Sequence, residues 1–454
     1  MDVKPAAKKT LKDSLYKTVF VLAWPAIIEM LLHVTVGLVD TAMVGRLGAE
    51  ALAAVGLSNQ LMALFTVILS AIGTGNTALV ARFIGAKNPI EAGQAAEQAV
   101  YLAVGIAVIV ESLLLVFCEP ILGFLFRTTE LEVLSLSSQY VKIVALALMF
   151  NYCLVLINST LRGVGDTKTP MHITAIVNLI NIIGNLILIF GFGPIPALGV
   201  KGAAISTATA QTVGGFLALR KLLKSDKIYV SFSWPIRIDV SIIKRILNVG
   251  IPAAIEQGSL RIGQLFYTIM IASLGTVSYA AHQVALHAES ISFNPGFGFA
   301  LAATTLVGQN LGAGQPERAE SSGHAAGRLA ILLMSFMGLI FFFFSEQIVY
   351  LFTPDEAVIK LAGICLKIVA VSQPALAVQM VYSGALRGAG DTRGILWITL
   401  SGFVVVRLGL TYILAIMLDY GLIGAWIAMG IDLYFRASLM LLRFKKGQWK
   451  LLKL

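Results

Sequence analysis

The sequence predicts an all-α integral membrane protein. Twelve transmembrane helices are expected in two parallel-repeat six-helix lobes, with pseudo-two-fold symmetry along the membrane normal. Three observations carry this prediction. Of 454 residues, 57% are hydrophobic and 13% charged, against roughly 25% charged in soluble domains. Such a chain has too little polar surface to cover itself in water. Its apolar residues fall into twelve stretches, each reaching the roughly 20 residues that a membrane helix needs. The last six stretches also repeat the first six. An ordinary soluble enzyme, a disordered chain and a secreted disulfide scaffold are excluded.

The stretches run 15–45, 51–84, 92–118, 131–161, 170–191, 198–223, 241–273, 278–310, 318–344, 356–386, 394–418 and 422–444. Several exceed the minimum and are expected to tilt or bend. Pro25 and Pro252 lie inside the first and seventh, where a kink is expected. Lys4, Lys8, Lys9, Lys12 and Lys17 precede or open the first stretch. That apolar run is too long for a signal-peptide core and lacks a cleavage site, so it reads as a retained span. The expected domains are a basic tail (1–14), an N-lobe (15–223), a linker (224–240), a C-lobe (241–444) and a second basic tail (445–454).

The net charge of +10 is explained by orientation. With the N-terminus cytoplasmic, 25 of the 34 basic residues fall in inside segments. The outside loops hold four, Arg46, Arg127, Lys201 and Lys360. Lysine and arginine concentrate on the cytoplasmic side of membrane proteins, so both termini are expected there, in the plasma (cytoplasmic) membrane. No nucleic-acid partner is needed to explain the charge.

Trp24-Pro25 matches Ile251-Pro252, and in the same register Glu29 falls on Glu256, Leu47-Gly48 on Leu274-Gly275, and Pro89 on Pro316. Further on, Leu161-Arg162-Gly163-Val164-Gly165-Asp166-Thr167 matches Leu386-Arg387-Gly388-Ala389-Gly390-Asp391-Thr392. Six spans per half is an even number, so the halves point the same way. Parallel repeats of this kind are a transporter architecture.

Other chemistries lack their residues. Cys118, Cys153 and Cys365 are widely spaced in apolar runs, with no CxxC or Cys/His cluster, so neither a metal site nor a disulfide framework is expected. Gly165-Asp166-Thr167-Lys168-Thr169 has the residue types of a phosphate-binding loop in the wrong order, and ATP is not expected. No HExxH or GxSxG occurs in a span, which argues against an intramembrane enzyme, and no filter-like loop suggests a channel. No cofactor is expected. Asp166 and Asp391 are expected to pair with nearby Arg162 and Arg387.

Several motifs resemble the multidrug and toxic compound extrusion (MATE) transporters over nearly the whole chain. Span 1 ends Val39-Asp40-Thr41-Ala42-Met43-Val44-Gly45-Arg46-Leu47-Gly48, similar to that family's aspartate followed by VGxLG. The two LRGxGDT stretches resemble its inner-loop signature. Asn181 to Asn185 and Ile189-Phe190-Gly191 resemble its asparagine-rich fifth helix. The carboxylate in the N-lobe points to the DinF-like branch. Asn185 stands where some relatives carry a second aspartate. Span 10, from Pro374 to Gln379, has no acid, so the sodium site of NorM-type relatives lacks its second carboxylate. The resemblance implies a monomeric antiporter that exports lipophilic, often cationic compounds by alternating access, in exchange for protons or alternatively sodium.

Asp40 is the first candidate for coupling. A carboxylate inside a span is costly and usually faces a cavity or a partner, and burial disfavours its charged form. His33 and Gly37 share its helical stripe. Asn178, Asn181 and Asn185 repeat at about one helical turn; Asn185 is the expected partner of Asp40, and interhelical glue is the plainer reading. Thr207 resembles the family's coordinating threonine. Glu256 is a further coupling candidate, and its repeat mate Glu29 follows span 1's proline in the same way. Either could instead bond backbone freed by the kink, and Arg261 is a weak candidate to pair with Glu256. His282, His287 and Glu289 are expected near the membrane interface. An adaptable substrate chamber is sought among Met30, His33, Met43, Met62, Phe65 and Met149, and among Phe150, Tyr152, Phe266, Tyr267, Met270 and Phe293. Methionines re-pack around varied ligands and aromatic faces attract cations, while core or lipid-facing packing is the alternative. A lipid-linked oligosaccharide flippase is the rival function. It would need several basic residues lining its cavity, and Arg261, Arg407 and Arg436 are the in-span candidates.

Overall fold

A bilayer offers no water to bare backbone, so a spanning chain must close its hydrogen bonds as helices or as a barrel. The computed structural model describes residues 5–232 and 237–452, with side chains from Ser14 onward. Among them the chain is helical throughout, apart from an isolated bridge between Phe192 and Ile195. The helices are α1 (Pro5–Gly45), α2 (Ala49–Gly85), α3 (Pro89–Leu125), α4 (Leu131–Ala145), α5 (Leu148–Val164), α6 (Lys168–Phe190) and α7 (Gly199–Leu223). They continue with α8 (Val240–Ala272), α9 (Thr276–Gly312), α10 (Pro316–Phe343), α11 (Ser345–Tyr350) and α12 (Glu356–Ala389). The last two are α13 (Thr392–Met417) and α14 (Gly421–Lys446). Lys4, residues 233–236 of the expected linker and residues 453–454 of the C-terminal tail lie outside the described residues, as do the side chains of Lys8, Lys9 and Lys12.

Each of the twelve expected stretches coincides with helix. Nine helices among the described residues are long and apolar enough to cross a membrane, and the α4–α5 pair makes a tenth. The fourth stretch is not one straight helix, because α4 and α5 meet at a bend of 58°. The sixth and seventh stretches form the more polar α7 and α8. In α8 the polarity comes from Glu256, Gln257, Arg261 and Gln264, which all line a cavity. The eleventh stretch is irregular: α13 widens into π-helical turns at Ser401–Leu408 and Tyr412–Met417. The short α11 was not expected.

The repeated LRGxGDT stretch is a helix stop followed by a helix start. Gly165 and Gly390 both sit at φ +87°, a left-handed conformation that glycine enters without a Cβ clash. The two ends carry the same bonds. Gly165 N donates to Arg162 O at 2.9 Å and Asp166 N to Leu161 O at 2.8 Å; Gly390 N donates to Arg387 O at 2.9 Å and Asp391 N to Leu386 O at 2.8 Å. This is a Schellman end. The aspartate then caps the following helix, accepting from Thr169 N at 3.0 Å in the first copy and from Gly394 N at 3.3 Å in the second. The expected pairs Asp166–Arg162 and Asp391–Arg387 do not form, because capping turns each aspartate toward the next helix. Asp391 instead accepts from Arg443 Nε at 2.6 Å.

The chain forms two compact units, Ile28–Leu247 and Met1–Ile27 with Asn248–Leu454. The first half of α1 therefore packs with the C-terminal helices, which departs from the expected boundary at residue 15. Val19, Leu22 and Ala23 are buried in one apolar cluster with residues of α9, α10, α12 and α14. Within the Ile28–Leu247 unit, the expected linker is tied to α3: Tyr229 N donates to Pro89 O at 3.3 Å, Ser231 N to Glu97 at 2.6 Å, and Asp239 N to Gln98 at 3.0 Å. Each unit also holds the same interhelical bond, Thr77 to Ser159 O at 2.9 Å in one and Thr304 to Gly384 O at 2.8 Å in the other.

Candidate functional site

In the Ile28–Leu247 unit the polar residues of α1, α6 and α7 form a chain. Asn185 Nδ2 donates to Asp40 Oδ1 at 2.7 Å and more weakly to Asn181 Oδ1 at 3.3 Å. Asn181 Nδ2 in turn donates to Thr207 Oγ1 at 3.2 Å. Asp40, Asn181, Asn185 and Thr207 are thus brought together as expected. Asn178 faces elsewhere along α1, donating to Leu32 O at 2.7 Å. The close α6–α7 approach depends on Gly184, where a Cβ would collide with Ser206 Oγ. Ser206 is already committed to Asn181 O at 2.8 Å. Asn185 Oδ1 is buried and has no hydrogen-bond partner, an expensive state for a buried polar atom.

Glu29 and Glu256 are both buried ion-pair partners. Arg162 Nη2 donates to Glu29 Oε1 at 2.6 Å. Arg387 Nη2 donates to both oxygens of Glu256 at 2.9 Å, and Thr399 adds a bond to Oε1 at 3.2 Å. The arginines are those of the two LRGxGDT stretches. Neither glutamate uses its side chain on backbone freed by the kink, and Glu256 pairs with Arg387 rather than Arg261. This role of the arginines escaped the sequence reading, although two glutamates and two arginines in matching positions were its signal.

The chamber residues are scattered. Met30, Phe65 and Met270 are half-buried and His33 is exposed. Met43 and Met62 pack beside a small buried cluster that contains Tyr140 and Ile189. Phe150 packs on Phe216, with ring centroids 4.9 Å apart. Tyr152 and Tyr267 are buried, and Tyr267 donates to Ala425 O at 3.0 Å. Phe266 is exposed.

The Met1–Ile27 and Asn248–Leu454 unit has a cavity of about 540 Å³. Its charged lining comes from α8 (Glu256, Arg261), α9 (Glu289), α12 (Arg387), α13 (Arg407) and α14 (Arg436). Of the expected chamber residues, Phe293 lines it and the others do not. Glu289 lines this cavity. His282 is fully buried, its ring between those of Tyr267 and Trp426, with centroids 5.6 and 5.7 Å away. His287 is exposed. Asp432 was missed altogether. Fully buried, it accepts from Arg407 Nε at 2.8 Å, from Arg436 Nε at 2.8 Å and from Arg436 Nη2 at 2.7 Å. Its signal was the helical spacing to Arg436, four residues on.

The MatE family model matches residues 25–187 and 252–413, once in each half. A protein of Thermotoga maritima named "Probable multidrug resistance protein NorM" is 34% identical over 96% of this chain and 93% of its own length. A Bacillus subtilis protein named "Uncharacterized transporter YisQ" is 27% identical over 98% and 97%. Among solved structures, a MOP superfamily transporter from Pyrococcus furiosus is 25% identical, with a TM-score of 0.85 over 95% of each chain. A MATE crystal structure in the bent conformation has a TM-score of 0.88 at 24% identity over 96% of each. Helices in two matched sets, the paired LRGxGDT stops and these matches agree, and the chain belongs to the MatE family of integral membrane transporters.

Proposed function

We propose that the chain expels lipophilic, often cationic small molecules by alternating access, in exchange for protons taken up and released at Asp40. The printed names of its relatives support multidrug efflux. The observation that carries the coupling site is Asp40 receiving the 2.7 Å hydrogen bond from Asn185 while Asn185 Oδ1 stays unpartnered. Ionised, Asp40 can only accept. Protonated, it becomes a donor, and turning the Asn185 amide over presents Oδ1 to receive that proton. The turn removes the donor shared with Asn181, which holds Thr207. A change of charge on α1 is thus passed to α6 and α7 by one amide.

The driving force is modest. One proton gains roughly 2.3 kcal/mol per 100 mV and about 1.4 kcal/mol per pH unit. A combined 3–4 kcal/mol, roughly, sustains a substrate gradient of two to three decades. The proposed setting is the plasma membrane with both termini cytoplasmic, as the loop charges imply.

The test is flux in proteoliposomes with a fluorescent lipophilic cation, imposing pH and sodium gradients separately. Transport driven by the pH gradient and lost in Asp40→Asn is expected. Transport driven by sodium alone, or full pH-driven flux in Asp40→Asn, would refute the proton assignment.

A further inference from the structure

The cavity of the Met1–Ile27 and Asn248–Leu454 unit holds a group of charges that proton exchange at Asp40 leaves unused. Four arginines line it, facing Glu256, Glu289 and the buried Asp432 behind them. Two of the carboxylates are fully engaged. Glu256 is held by Arg387, and Asp432 is shared by Arg407 and Arg436. One aspartate between two buried guanidinium groups leaves a positive charge uncompensated, a costly arrangement away from water.

The unused donors face the same space. Arg407 makes its single hydrogen bond through Nε, so among the described residues its two Nη atoms have no hydrogen-bond partner. Its guanidinium carbon lies over the Phe403 ring, 4.6 Å from the centroid. Arg261 makes no ion pair or hydrogen bond among the described residues. Phe403 and Arg407 stand on the π-helical turns of α13, and such turns often mark functional sites. The rest of the lining includes Phe293, Phe297, Met429 and Leu433.

We propose that this cavity binds an amphiphile through a single anionic group, a phosphate monoester or a carboxylate, held by Arg261 and the Nη atoms of Arg407. A planar guanidinium matches the paired oxygens of either group, and the aromatic and methionine side chains take the apolar body. Glu289, without a hydrogen bond among the described residues, limits the charge that the site accepts. A cationic headgroup would meet four guanidinium groups in place of its counter-ion. The inference goes beyond proton-coupled efflux and does not rest on it.

Calorimetric titration of the full-length protein with decyl phosphate and with decyltrimethylammonium tests it. Decyl phosphate should bind, and Arg261→Gln should weaken decyl phosphate about tenfold or more; decyltrimethylammonium should not displace decyl phosphate, and its own affinity should not change in Arg261→Gln. Arg261 makes no ion pair or hydrogen bond among the described residues, so this variant should keep close to the wild-type melting temperature. Glu289→Gln should tighten binding. In nanodiscs of phosphatidylcholine, added phosphatidic acid competes if a bilayer lipid is the occupant and leaves binding unchanged if a soluble amphiphile is. Displacement of decyl phosphate by decyltrimethylammonium, or decyl phosphate binding undiminished by Arg261→Gln, would overturn the proposal.

Discussion

Arg387 grips both carboxylate oxygens of Glu256 at 2.9 Å, and its repeat mate Arg162 grips one oxygen of Glu29 at 2.6 Å. Each pair ties a proline-containing helix, α8 or α1, to the helix that carries the LRGxGDT stop. Removing one member of a buried pair leaves a charge without its counter-ion. Arg387→Ala should therefore destabilise by roughly 3–5 kcal/mol, read by thermal melting in detergent. Arg387→Met with Glu256→Met should cost clearly less than the two single changes together.

The glycine stops make a local prediction. Gly165→Ala and Gly390→Ala each force a Cβ into the left-handed region and should cost about 1–2 kcal/mol. Asparagine, which tolerates that region better, should cost less at either position. Matching losses in the two halves by thermal melting would verify that the motif does the same job twice.

Asp432 is predicted to be the most sensitive acid of the C-terminal helices. Asp432→Ala leaves Arg407 and Arg436 buried side by side with no carboxylate between them, and a loss of roughly 3–5 kcal/mol or more is expected. A second change, Arg436→Leu, should recover part of that loss. Comparing the melting temperatures of the single and double variants checks it.

The contact between α6 and α7 should link packing to coupling. Gly184→Val must push Ser206 aside, at a cost of about 1–3 kcal/mol for overpacking. Because Ser206 and Thr207 both bond Asn181, the variant should lose proton-driven flux beyond its loss of folded protein. Flux normalised to the folded fraction separates the two effects.

Much of the architecture was legible in the sequence, because membrane thickness fixes helix length and the repeat fixes the halves. Asp40 and Asn185 were also legible as partners, since polar residues in a span must find one another. The arginine of each LRGxGDT stretch was placed wrongly, with the aspartate nearest in sequence. Sequence proximity does not reveal that the Schellman end turns that aspartate toward the next helix and leaves the arginine for a glutamate over a hundred residues away. Most of the chamber residues, Phe293 apart, failed for a related reason. Methionine and aromatic side chains suit cores, lipid and cavities equally, and composition does not distinguish those surroundings. The end of the first compact unit inside α1 was hidden because a continuous helix gives no break in the apolar pattern.

The central claim is that Asp40 trades a proton against substrate. In lightly buffered detergent solution, adding tetraphenylphosphonium to the purified protein should release protons from the wild type and none from Asp40→Asn. Equal release by the variant, or none by the wild type at saturating tetraphenylphosphonium, would contradict it.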